Sequence, residues 1–374
     1  MKIVFICGSA EPGRDGVGDY TRRLSQELVR KGIQVVIVAF NDRHINAIQE
    51  NVLAVDEKQV AILRLPANLT EEVRLKLLKD RVDQFNPDWL SLQYVPFSYH
   101  PKGLVFGLAR KLLKVGKGKK WELMFHEIAV GMPEGSNLKE MLWGKAQKLL
   151  AKGLIRVLKP AMVHTHTTVY KKQLEKFGAE ITLLPLFSNI PVAYPELILK
   201  KTLHKEITKQ IDLLVFASIQ LGAPIRQLAT EALAYEKAHD VTLRMVFLGR
   251  SGRAQEEWVK EWTAAGLAAV QLGEQTEEKV SEILAKAEFG ICSTPLVLTG
   301  KSGAVAAMRE HGIHLLCVSG KWDARGIKVT ENPLEIVEYK EGNLGHFFER
   351  SPDFSFLPTL PKVAEQFIAD LLTH

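Results

Sequence analysis

The sequence predicts an α/β protein made of two doubly wound domains. Three observations carry this. Short apolar runs alternate with helical patterns along the chain, as parallel strands joined by crossover helices require. The alternation lapses once, near residues 191–210, and then restarts. The chain is also 374 residues long, more than one core usually holds.

In the first half, "KIVFIC" reads as a strand. "DYTRRLSQELVRKG" reads as a helix with Leu24, Leu28 and Val29 on one side and Gly32 as its stop. "IQVVIVAF" is the next strand, "EEVRLKLLKDRVDQF" an amphipathic helix and "PDWLSLQYV" a strand. "GLVFGLARKLLKVG" is helical, "KWELMFHEI" a strand and "EMLWGKAQKLLAKGLIRVLK" a long helix. "AMVHTHT" and "ITLLPLF" close this half as strands. The second half repeats the scheme from "DLLVFASI" to "EFGICST", the helix "SGAVAAMREHG" and the strand "IHLLCVS". The expected boundaries are a first domain at 1–190, a proline- and charge-bearing linker at 191–210 and a second domain at 211–355. A terminal amphipathic helix at 356–374 is free to pack on either domain.

Composition excludes several classes. Apolar residues are 46% and charged residues 25%, ordinary for a soluble globular chain. Cys7, Cys292 and Cys317 show no CxxC and no metal-ligand spacing, so buried thiols in a reducing compartment are expected. No signal peptide or membrane-spanning run is read, and a cytoplasmic place is expected. The net charge of +6 is uneven. Residues 1–190 hold 29 Lys/Arg against 19 Asp/Glu, and residues 191–374 hold 20 against 24. The excess gathers at 109–121 and 145–159. That pattern is either a solvated helix face or a surface for an anionic partner, including anionic lipid at the inner membrane face. Trp121 is the only interleaved aromatic, and no nucleic-acid partner is expected.

Two glycine-bearing stretches follow strands and open helices. The first is "EPGRDGVGDYTRRL", 11–24. It fails the dinucleotide fingerprint G-x-G-x-x-G/A, because Thr21 stands at the third position after Gly18, and its loop reads as about nine residues. The second is "TGKSGAV", 299–305, which fails the P-loop pattern because Pro295 stands where the first glycine belongs. Lys301, Ser302 and Gly303 nevertheless lie at a helix start, where unpaired N–H groups and the dipole favour an anion. The plainer alternative is a helix cap by Ser302.

In order and spacing, these stretches resemble the family 4-type glycosyltransferases, which have two Rossmann-like domains facing across a cleft (the GT-B fold). "PGRDGVGDYTRRLSQELVRKGIQVVIV" is similar to their opening, "FHEIAVG" to their histidine loop and "LPLFSNIPV" to the end of their first domain. "LRMVFLGRSG", "EKVSEILAKAEFGICSTP" and "TGKSGAVAAMREHG" are similar to donor-domain segments. The resemblance implies a retaining, metal-independent transferase that moves a sugar from a nucleoside diphosphate to a glycan or lipid-linked acceptor, with no cofactor. It implies His126 as the residue at the transferred sugar, with Glu127 beside it. It implies donor contacts from Gly16, Val17, Gly18, Arg226, Arg250, Thr299, Gly300, Lys301, Ser302 and Gly303, and acceptor contacts from Asp19, Tyr20 and Gln93. The sequence departs from the family at Thr299 and Ala307, where two glutamates are expected; Glu310 lies one turn further on. This departure favours an alternative, a catalytically impaired nucleotide-sugar-binding protein of the same fold.

Overall fold

The computed structural model describes residues 1–203, 209–250, 252–329, 332, 336–349 and 359–374. The chain forms two compact units. The first is Met1–Pro185 with Asp323–Val329 and Leu360–His374, and the second is Leu186–Trp322 with Thr330–Thr359. Residues 323–329, read from sequence as part of the second domain, therefore cluster with the first unit. The linker reading meets a helix at Pro195–Leu203. Its residues 204–208, and residues 356–358 of the terminal segment, lie outside the described residues.

The first unit is built on an eight-stranded sheet in the order β3-β4-β2-β1-β5-β6-β7-β8. Its strands are β1 Lys2–Cys7, β2 Gln34–Asp42, β3 Gln49–Val55, β4 Lys58–Pro66, β5 Trp89–Tyr94, β6 Lys120–Phe125, β7 Met162–Thr165 and β8 Thr182–Leu183. All pairs are parallel except β3 with β4. That hairpin was not read from the sequence. Its turn holds Asp56 at φ 52° without a glycine or proline to signal it. The helices are α1 Gly16–Arg30, α2 Glu71–Phe85, α3 Pro96–Tyr99, α4 Leu108–Val115, α5 Leu138–Leu158 and α6 Thr168–Glu175. Helix α4 starts later than its apolar pattern suggests, because Gly107 sits at φ 74° and interrupts the run.

Helix α1 starts earlier than expected. Gly16, Val17 and Gly18 form its first turn rather than a loop, because the Asp15 carboxylate caps it by accepting from Gly18 N at 2.8 Å. A Cβ on Gly18 would stand 2.5 Å from the Ser9 carbonyl oxygen, so glycine lets α1 press against the backbone that follows β1.

The terminal helix Thr359–Leu372 packs Leu360, Val363, Ala364, Phe367 and Leu371 inward. Phe367 stacks on Phe5 of β1 at 5.9 Å between ring centroids. Burying such a ring contributes about 1.5–3 kcal/mol.

The second unit opens with α7, Pro195–Leu203, and carries a six-stranded parallel sheet in the order β11-β10-β9-β12-β13-β14. Its strands are β9 Gln210–Phe216, β10 Thr242–Leu248, β11 Ala268–Gly273, β12 Phe289–Cys292, β13 His314–Cys317 and β14 Val337–Glu338. Helices α8 Ile225–His239, α9 Ala254–Ala264, α10 Glu277–Lys286, α11 Gly303–Glu310 and α12 Leu344–Glu349 accompany them, with the terminal helix as α13. Strand alternation sorts side chains into two cores. Leu213, Val215, Met245 and Phe247 meet Trp258 and Trp262 on one face. Leu214, Val246 and Leu248 meet Leu284, Val305 and Met308 on the other. Cys292 and Cys317 are register partners on β12 and β13, and both are buried free thiols.

Candidate functional site

Doubly wound sheets bind ligands at the carboxyl ends of their strands, where the strand order reverses. The reversal falls between β1 and β5 in the first unit and between β9 and β12 in the second. The two glycine-bearing stretches follow β1 and β12, the strands beside these reversals.

In the first unit, His126 follows β6 and is 7% exposed. Its backbone N–H donates to Tyr94 O at 3.1 Å. Its Nε2 lies 2.8 Å from Gln93 Oε1, and its Nδ1 lies 3.0 Å from Nε2 of His166. His166 Nδ1 donates to Leu184 O at 2.8 Å. Tyr20 of α1 sets its ring edge-on to both imidazoles, at 4.9 and 5.5 Å. Tyr20 and Gln93 are each 1% exposed, so they brace His126 from behind instead of presenting a surface to an acceptor. Burial pushes the Tyr20 hydroxyl well above its usual range.

The chain of contacts continues inward. Gln93 Nε2 donates to Ser91 Oγ at 2.7 Å, and Ser91 Oγ donates to Glu122 Oε2 at 2.5 Å. Glu122 Oε1 and Asp370 Oδ2 flank His164, each at 3.0 Å. Burial alone would lower the His164 pKa, but the hydrogen bonds it donates to Asp370 and Glu122 raise it above the ordinary value. In this orientation of the Gln93 carboxamide, both ends of the His126–His166 pair are acceptors.

Asp19 is turned toward its own loop. Both of its oxygens accept from Gly13 N at 3.1 Å, and Arg22 lies 3.8 Å away. The Gly18 amide, expected to face a donor, is taken by Asp15.

In the second unit, Leu296–Lys301 forms a 3₁₀ turn after β12, and Ser302 caps α11 by accepting from Val305 N at 3.4 Å. Thr299 is 3% exposed, and its hydroxyl donates to Leu296 O at 2.7 Å. A Cβ on Gly303 would meet nothing within 4 Å, so the start of α11 faces open space. Lys301 and Gly300 lie in that same turn. The two arginines are engaged elsewhere. Arg226 makes a two-pronged pair with Glu261 at 2.8 and 3.0 Å, and Arg250 pairs with Glu274 at 2.5 Å. Glu310, one turn beyond Ala307, is held within the second unit. It is 8% exposed and accepts from Ser188 N at 2.8 Å and from the Thr359 hydroxyl. Ala307 is 1% exposed.

The sequence reading missed Asp15, Ser91, Glu122, His164, His166 and Asp370. A usable signal was present: Glu122 interrupts the apolar run "WELMF", and two histidines alternate in "VHTHT". An ionisable residue inside a doubly covered parallel strand needs a partner.

This is the GT-B fold. Solved structures similar to the chain include HepE from Anabaena in complex with UDP, with 14% identity, TM-score 0.57 and all of both chains covered. The catalytic domain of starch synthase IV from Arabidopsis thaliana, bound to ADP and acarbose, matches at 12% identity, TM-score 0.54 and 100% and 99% coverage. An α,α-trehalose-phosphate synthase (UDP-forming) from Burkholderia xenovorans matches at 11%, TM-score 0.56 and 99% of each chain. No protein-family model and no curated protein sequence matches the chain. No helix among the described residues is long and apolar enough to cross a membrane.

Proposed function

We propose that this protein is a retaining glycosyltransferase that moves a sugar from a nucleoside-diphosphate donor to a glycan or lipid-linked acceptor at the cytoplasmic face of a membrane. The observation that carries this reading is the start of α11. It lies after β12, beside the strand-order reversal of the second sheet, with Ser302 as its cap, Lys301 adjacent and open space at Gly303. A helix N-terminus and a lysine supply N–H donors and charge to a departing diphosphate without a metal or cofactor. As the bond from the anomeric carbon to the diphosphate oxygen breaks, a bond to the acceptor oxygen forms, and the acceptor's proton leaves with the phosphate. His126 is the residue assigned to the transferred sugar, held in place by Gln93, His166 and Tyr20. Thr299 and Gly300 line the donor turn, while Arg226, Arg250, Gly16, Val17, Gly18 and Asp19 have weaker support, each being tied to a neighbour or to helix α1. Two of the solved neighbours, HepE with UDP and starch synthase IV with ADP, support the donor class. A thermal-shift panel of UDP-, GDP-, ADP- and TDP-sugars tests it, with mass spectrometry of transfer products in the presence of EDTA. One donor class should raise the Tm and be consumed with EDTA present.

A second reading is a nucleotide-sugar-binding protein that no longer transfers. Its motive is Thr299 and Ala307, both buried where carboxylates are expected. A Tm rise with no turnover across a broad acceptor set would select it.

A further inference from the structure

The first unit contains a cavity of about 420 Å³ at the start of α2, away from His126. Its wall includes Phe40, Arg43, Glu71, Arg74, His100 and Phe106. Arg74 decides its chemistry. The residue is 9% exposed, stacks its guanidinium on the Phe40 ring at 5.1 Å, and reaches Phe40 O at 3.1 Å and Asn41 Oδ1. Its Nε is buried with no hydrogen-bond partner. No carboxylate among the described residues forms an ion pair with it. Glu71, one turn back on α2 and also in the wall, is held by Lys111 instead. Burying a guanidinium with no ion pair is costly, and burial lowers its pKa although the charges of Glu71 and Glu72 partly offset this.

The other polar groups of the wall are mostly donors. Arg43 is exposed and uses Nη2 toward Phe97 O at 2.7 Å, which leaves guanidinium N–H groups over. His100 Nδ1 accepts from the amides of Lys102 and Leu104 at 3.1 and 3.2 Å, so its Nε2 carries the proton. Donors on two other segments therefore lie beside an arginine that makes no ion pair among the described residues. The apolar side of the wall then runs outward. Phe106 is 67% exposed, and Val105 also lines a smaller cavity with Arg110, Leu149 and Leu154 between α4 and α5. On those helices Leu113, Leu142 and Leu149 are 43%, 56% and 70% exposed among the lysines and arginines of 109–121 and 145–159. Basic residues interleaved with exposed leucines suit an anionic interface.

We propose that this cavity binds the phosphate of a membrane-borne phospho-amphiphile, with Arg74 as the central contact, Arg43 and His100 Nε2–H beside it, and Phe106 against the apolar chain. The inference draws on the proposed transferase activity only for naming such a molecule as an acceptor; the binding itself is read without any transfer. Calorimetry with octyl phosphate below its micelle concentration, inorganic phosphate and octyl glucoside tests it on the full chain. Octyl phosphate should bind at least about tenfold more tightly than either of the others. Arg74→Met should weaken octyl phosphate at least about tenfold, equivalent to about 1.4 kcal/mol. The exposed Arg43→Ala should weaken it about threefold with an unchanged Tm, which keeps the test decisive if the Arg74 variant unfolds. Binding to vesicles should rise when phosphatidic acid is added to phosphatidylcholine, and fall with Arg43→Ala. Equal affinity for inorganic and octyl phosphate overturns the membrane source. Unchanged affinity in both arginine variants, or octyl glucoside binding as well as octyl phosphate, overturns the site. None of these outcomes bears on nucleotide-sugar binding at Lys301.

Discussion

The two units place comparable residues in opposite situations. In the first, His126 ends a buried polar chain in which Gln93, Ser91, Glu122, His164 and Asp370 satisfy one another. In the second, the start of α11 faces open space at Gly303, and Arg226 and Arg250 are paired with glutamates on neighbouring elements. The lesson concerns rigidity. A buried network fixes one imidazole in a fixed pose, because every displacement leaves an unsatisfied group. An open helix start has no such constraint and offers its donors to whatever anion arrives.

The comparison breaks first if Glu122 proves dispensable. Glu122→Leu removes the acceptor of both Ser91 Oγ and His164 Nδ1 in a dry interior, and should cost about 3–5 kcal/mol in urea unfolding of the first unit. A loss below about 1 kcal/mol would mean that the chain is not buried as described. The glycines give the next contrast. Gly18→Ala puts a Cβ 2.5 Å from Ser9 O and should destabilise by about 1–3 kcal/mol, despite alanine's better helix propensity. Gly303→Ala meets nothing and should leave the unfolding midpoint unchanged or raised. Equal effects at the two sites would erase the distinction.

Lys301→Ala sharpens the functional side. Donor Kd measured by calorimetry should rise about tenfold, the worth of one charge-assisted contact of about 1.4 kcal/mol, with no change in Tm of the free protein. The pH dependence is smaller. The His164 pKa lies above its ordinary 6.5 in the folded state, so the stabilisation is complete below about pH 6.5. It is lost as the pH climbs through the raised value. The urea midpoint should therefore decline as the pH rises above about 6.5, and Asp370→Asn should flatten that decline. Least of all should change on removing the exposed pairs: Arg226→Ala and Arg250→Ala should leave both Tm and donor affinity within error.

The fold was largely legible because doubly covered parallel strands must be nearly continuous apolar runs, and β1, β2, β9 and β10 are. The β3–β4 hairpin was not. Strand β3 is almost wholly exposed and has no glycine-marked turn, so neither periodicity nor turn chemistry announced it. Ser302 was legible as a cap, whereas Asp15 was hidden by the glycines that follow it. The partners of His126 were out of reach for a different reason. Ser91, Glu122, His164 and Asp370 come from three strands and a terminal helix, and only the register of the sheet brings them into line.

The origin of Asp370 and Phe367 has a consequence for synthesis. Both belong to the first unit, yet the ribosome makes them after Leu186–Trp322 of the second. During translation β1 and β7 exist without the ring that covers Phe5 and without the carboxylate that completes His164. The second unit has most of its sheet in hand by then. Order of emergence and order of completion are thus inverted: the half that leaves the tunnel first is the half that closes last.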